Sequence, residues 1–109
     1  MSYLGDFAAG ATVWGYFNTR DTDAVPITLA GTPAIRVYRD DGTTEDDSGI
    51  TLTVDFDSRT GFHNYKIDMS TDATFYAAAH DFAVVITTGT VDSVSVVGSV
   101  VGRYSIRNR

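Results

Sequence analysis

Over residues 50–69 the chain reads ITLTVDFDSRTGFHNYKIDM: apolar and polar residues alternate, the pattern breaks at DSRTG, and alternation resumes. A helix buries a stripe that repeats about every 3.6 residues, so a two-residue repeat selects a strand with one covered face. Ile50, Leu52, Val54 and Phe56 fall on that face, with Thr51, Thr53 and Asp55 on the other. After the turn, Phe62, Tyr65, Ile67 and Met69 supply the apolar positions, while His63, Asn64, Lys66 and Asp68 look outward. The slip between Phe62 and Tyr65 predicts a β-bulge near the turn. This hairpin sets the class of the whole protein.

The remaining segments agree with it. Residues 1–10 read as a short leader, and ATVWGYF (11–17) as a first strand. PITL (26–29) suits an edge strand opened by proline, and AGT (30–32) a turn into the alternating strand AIRVYR (34–39). Residues 70–79 are the one place for a helix, read as a single turn that joins two strands across the sandwich. FAVVIT (82–87) is almost continuously apolar and predicts a central strand. Residues 94–106 read as one long final strand, bent near Gly98. About seven or eight short strands separated by turn signals predict an all-β, immunoglobulin-like antiparallel β-sandwich, with a small β-barrel as the alternative. The 109 residues fit a single domain with a basic C-terminal tail over 103–109.

Composition removes several function classes. The chain has no cysteine, which excludes disulfides, thiolate metal sites and a cysteine nucleophile. Eight basic against fourteen acidic residues give a formal charge of −6, which repels phosphate backbones and argues against nucleic acid as a partner. No apolar run reaches the roughly 18 residues of a membrane helix, and residues 1–10 lack a signal-peptide layout. Synthesis in a cytoplasm, with no membrane partner, is the expectation.

No residue pattern selects an enzyme. His63 and His80 lack ligand-spaced partners and read as a surface-strand residue and a loop residue. Asp40, Asp41, Glu45, Asp46 and Asp47 form an acidic loop without the alternation and closing glutamate of a calcium loop, so it reads as solvated surface. Asp55, Asp57 and Asp72 fit turn and capping roles. No serine has a nucleophile-elbow context, and nothing singles out a carboxylate pair for glycoside cleavage. No catalytic residue, metal site or cofactor is expected. Trp14, Tyr16, Tyr3 and Tyr104 would make an aromatic sugar platform if exposed, but a lone tryptophan in a small sandwich favours the core. Charge segregation carries the partner content: Arg103, Arg107 and Arg109 crowd the last seven positions, and guanidinium forks suit carboxylates. This tail could dock on the acidic loop of a neighbouring copy. The valine-rich run 94–101 must be central or covered, because as a bare edge it would aggregate.

The segments TLAGTP (28–33), SGITLTVDFD (48–57), TGFH (60–63), FY (75–76), DF (81–82) and YSIRNR (104–109) resemble a domain of tailed-bacteriophage structural proteins. That domain often forms the N-terminal part of tail-fibre-like proteins, and the resemblance covers residues 11–109. It implies a multi-copy virion structural protein that docks on other virion proteins and on copies of itself. A tail or fibre-attachment position ranks first and a capsid-surface decoration (cement) protein second. The chain ends where fibre-like relatives continue, which favours an adaptor over host recognition, and the family carries no catalytic residues to transfer. The rival from another class is a carbohydrate-binding module.

Overall fold

The computed structural model describes residues 3–107. Among them, nine strands form two packed sheets: β1 (Tyr3–Phe7), β2 (Thr12–Asn18), β3 (Ala30–Arg39), β4 (Glu45–Asp46), β5 (Ile50–Thr53), β6 (Phe62–Asp68), β7 (His80–Val91), β8 (Val94–Ser95) and β9 (Val100–Ile106). The larger sheet runs β1-β9-β7-β3-β4, with β8 pairing the end of β7, and the smaller runs β2-β6-β5. The all-β sandwich is therefore as expected. The purely antiparallel sheet is not, because β1 lies parallel to β9.

Several local expectations give way to tertiary pairing. Residues 3–7 of the supposed leader are an edge strand, held by β9 and by the Arg107 N–H donating to the Phe7 carbonyl. PITL forms no strand; Pro26 makes an isolated bridge to Arg20, and Leu29 drops into the core. AGT belongs to an irregular start of β3, where Gly31 and Thr32 take φ of 76° and 57° and the register to β7 shifts. Residues 94–106 divide at a turn containing Gly98 (φ 96°), so β8 and β9 are separate strands. Central β7 is as read: it is the longest of the described strands and pairs with β3, β8 and β9.

The hairpin keeps its register, with Ile50 opposite Ile67 and Leu52 opposite Tyr65. The bulge near Phe62 is absent, since β6 pairs β2 without a break from Asp68 to Phe62. Strict parity puts His63 inside with Tyr65, Ile67 and Met69, and turns Phe62 outward. Hydropathy points to the wrong neighbour at that one step. His63 tolerates burial because both ring nitrogens are used. The Asp55 N–H donates to Nδ1 (3.0 Å), so Nε2 carries the proton and faces Thr19 Oγ1 at 2.8 Å, whose hydroxyl donates to the Ile27 carbonyl. Burial pushes the His63 pKa down, opposed by the nearby Asp55 carboxylate.

The core lies between the sheets. Phe82 and Tyr104 are register partners on β7 and β9 and stack at 4.9 Å, with Ile35, Val37, Val84 and Ile86 around them. From the smaller sheet, Tyr65 crosses the whole layer. Its hydroxyl lodges between Gly15 on β2 and Gly102 on β9, and a methyl group at Gly15 would stand 2.7 Å from it. Each glycine is therefore a notch for this ring. Burial pushes the Tyr65 pKa up to about 12, and its hydroxyl finds no hydrogen-bond partner among the described residues. The segment 70–79 joins the sheets as expected, through a short 3-10 turn (Met69–Thr71) whose Ser70 N–H is met by the Asp68 carboxylate. Tyr76 then plugs the core and donates to the Ser48 carbonyl at 2.9 Å.

Candidate functional site

The outer face of the smaller sheet is built by strand parity. On β2, Val13, Gly15 and Phe17 point into the sandwich, so Thr12, Trp14, Tyr16 and Asn18 point out. Register places Lys66 beside Trp14 and Asn64 beside Tyr16, with Thr51 and Thr53 of β5 beyond them. Trp14 is 56% exposed and Tyr16 43%. The expectation of a core tryptophan is thus overturned: Val13 and Gly15 take the inward positions, and the alternation forces Trp14 outside.

Phe56 and Phe62 extend this surface. Tyr16 stacks on Phe62 at 5.2 Å and 20°, meets Trp14 edge-on at 5.6 Å, and contacts Phe56 at 5.9 Å. Phe56 arrives on a 3-10 turn (Phe56–Ser58) whose preceding residue, Asp55, has φ 53°. The Asp55 carboxylate accepts from the Thr28 hydroxyl (2.7 Å) and the Gly61 N–H (2.9 Å), and these bonds hold its pKa below the usual range. The turn that carries Phe56 is fastened at both ends. Beside it, Thr12, Trp14, Tyr16, Phe56, Asn64 and Lys66 line a cavity of about 410 Å³. Of the other aromatics considered for such a platform, Tyr3 is exposed on β1 and Tyr104 is buried in the core, so only part of the predicted set can meet a ligand.

The charged candidates follow different rules. Glu45 pairs with Arg36 at 3.3 Å and accepts from the Tyr38 hydroxyl at 2.6 Å, and that hydrogen bond raises the Tyr38 pKa. Asp47 lies 3.9 Å from Arg36, and Asp46 accepts from the Ser48 N–H. Asp41 is exposed at the loop apex. Asp40 clamps the end of the larger sheet, accepting from the Asp81 N–H (2.9 Å) and meeting His80 Nδ1 at 2.5 Å. Those contacts, the Asp81 bond foremost, hold its pKa down. His80 itself opens β7 and is not a loop residue.

Arg103 lies within β9, over the Tyr3 ring at 5.9 Å, and Arg107 follows the strand; Arg109 lies outside the described residues. The supposed basic tail is therefore largely strand, and its Tyr104 and Ile106 belong to the core. Two strands, β7 and β3, separate Arg103 from Glu45, a spacing of about 14 Å. At one sheet end His80, the partner of Asp40, and Arg107 border a cavity of about 300 Å³ with Asp6, Asp81 and Ser105. Among the described residues, no group of three or more acidic or histidine side chains is placed to hold a metal ion.

The aromatic surface is only half legible in the sequence. Hydropathy assigns Phe56 and Phe62 to the buried face, whereas counting parity back from Ile67 turns Phe62 outward. No known protein family model, curated protein or solved structure significantly matches this chain.

Proposed function

We propose that this chain is a non-catalytic docking module of a tailed-bacteriophage virion, present in multiple copies at a tail or fibre attachment point, with capsid-surface decoration as the alternative position. The observation that carries the docking role is the aromatic surface on the outer face of the smaller sheet, where Trp14 and Tyr16 are exposed and the half-buried Phe56 and Phe62 pack beside them. The virion setting rests on the sequence resemblance. The strand order supports an immunoglobulin-like reading: β9-β7-β3-β4 and β2-β6-β5 follow the neighbour relations G-F-C-C′ and B-E-D of such sandwiches. Arg103 and Arg107 would add charge-assisted contacts at the rim.

The test is incorporation. A tagged copy carrying Trp14→Ala and Tyr16→Ala, with native circular dichroism, is supplied during infection and purified particles are probed for it. Loss of incorporation is expected, and incorporation equal to the unsubstituted protein would overturn the reading. Arg103→Ser with Arg107→Ser tests the charged rim, because deleting residues 103–109 would remove core side chains.

A second reading has one observation of its own. Asn64, Lys66 and Thr12 share the cavity with Trp14 and Tyr16, the mixture of flat aromatic and hydrogen-bonding groups that suits a saccharide. Reproducible binding on a glycan array, lost on Trp14→Ala, would favour it.

A further inference from the structure

We propose that the open edge of β2 pairs with the β2 edge of a second copy of this chain, antiparallel, fusing two three-stranded sheets into one of six strands. β2 has seven residues and pairs only with β6 among the described strands. The Met69 N–H donates to the Ala11 carbonyl and the Thr19 N–H to the Gly61 carbonyl, at either end of an unbroken register. Antiparallel ladders alternate, so odd-numbered residues of β2 bond to β6. The peptide groups of Thr12, Trp14, Tyr16 and Asn18 consequently face the open edge.

The other edges carry protection that β2 lacks. β4 is two acidic residues, β5 is four residues long, and β1 holds Asp6 and an irregular register around Gly5, whose φ is 108°. β2, TVWGYFN, has no charge, no proline and no bulge. Copies with a charge of −6 repel each other, so self-contact needs an uncharged strip, and this is the longest uncharged edge among the described strands.

Its residues are also self-complementary. Aligning two antiparallel strands on Gly15 sets Trp14 of each copy opposite Tyr16 of the other, and Thr12 opposite Asn18. All of these are positions whose peptide groups face the edge. A two-fold contact makes every such pair twice, which gives cross-strand aromatic pairs on the outer face. The seam beside the edge has room for the inward-facing side chains of an added strand: a cavity of about 350 Å³ lies against Leu4, Phe7 and Gly15, and one of about 470 Å³ against Phe17 and Val101. This inference holds independently of any virion role.

Sedimentation velocity of the full chain across a concentration series tests it. A concentration-dependent dimer is expected, weakened at least about tenfold by Trp14→Lys, which places a charge on the edge. A monomer at every concentration, a larger closed oligomer, or a dimer indifferent to Trp14→Lys would overturn the proposal. Because a surface substitution can disturb folding, a second variant carries Thr12→Cys and Asn18→Cys. The chain has no other cysteine, and the two sites lie about 20 Å apart on one strand, too far to bridge within a copy. Mild oxidation should yield a covalent dimer, released by reductant. Free thiols after oxidation of the folded variant would refute the register.

Discussion

Gly102→Ala is the sharpest test of how the two sheets are locked together. A methyl group there would overlap the Tyr65 hydroxyl, which is packed closely enough against Gly15 as well that a methyl group on that glycine would stand 2.7 Å from the same oxygen. Overpacking a closed core costs about 1–3 kcal/mol, and a wedge gripped from both sheets belongs at the upper end. At about 4 °C or more per kcal/mol for a domain of this size, the melting midpoint should fall by on the order of 10 °C. Tyr65→Phe supplies the control. It deletes a buried hydroxyl that has no partner among the described residues, so stability should stay within about 1 kcal/mol of the parent. In that background the nearest ring atom stands 3.3 Å from the new methyl group, and Gly102→Ala should then cost about 1 kcal/mol or less. Urea unfolding of all four proteins, at constant denaturant slope, gives the coupling between the sites, expected near about 2 kcal/mol. Equal cost of Gly102→Ala in both backgrounds would mean that the glycine is not a notch for Tyr65.

His63 is held neutral, with its pKa below the ordinary 6.5. Stability should be complete above that value and decline as pH falls through it towards the lower folded pKa, by at most about 1.4 kcal/mol per pH unit; a His63→Leu variant should lose this slope, as urea titrations at stepped pH would show. Glu45→Gln should bring the Tyr38 phenol back towards its ordinary pKa of 10.0, read by NMR titration, while changing stability by little because the contacts are exposed. Gly61→Ala should destabilise by about 1–3 kcal/mol: its φ is 77°, and a methyl group would stand 2.7 Å from the Ile27 nitrogen. A thermal shift under about 2 °C would refute that account.

The sheet class and the hairpin register are readable because Ile50, Leu52, Ile67 and Met69 alternate with polar residues over both arms. Reading fails where both parities carry apolar side chains. In VWGYF, Val13 and Phe17 compete with Trp14 and Tyr16 for the interior, and the decision falls to Tyr65, which needs Gly15 facing it. It fails again at β1, where Gly5 and Asp6 weaken the strand signal and only pairing with β9 orders the segment. The turn expected at 30–32 shows the same limit: its glycine signals positive φ correctly, yet the segment serves an irregular strand. The acidic loop is legible as a cluster, whereas its absorption by Arg36, Tyr38 and His80 depends on which strands become neighbours.

Salt separates the two surfaces offered for docking. Contacts through Asp47, Glu45, Arg103 and Arg107 would join exposed side chains, each pair worth about 0–1 kcal/mol and screened beyond roughly 8 Å at physiological ionic strength. Glu45 and Asp47 would also have to leave Arg36, which subtracts from any gain. Burying Trp14 and Tyr16 removes apolar surface from water at about 25 cal/mol per Å², and sulfate strengthens that term. An assembly held by the aromatic face should therefore persist, or tighten, when its buffer is brought to about 1 M ammonium sulfate, where the Debye length is roughly 3 Å or less. One held by the charged rim should dissociate well before that. A complex that falls apart by about 0.5 M sodium chloride, with Trp14→Ala leaving its affinity unchanged, would move the docking site from the smaller sheet to the rim of the larger one.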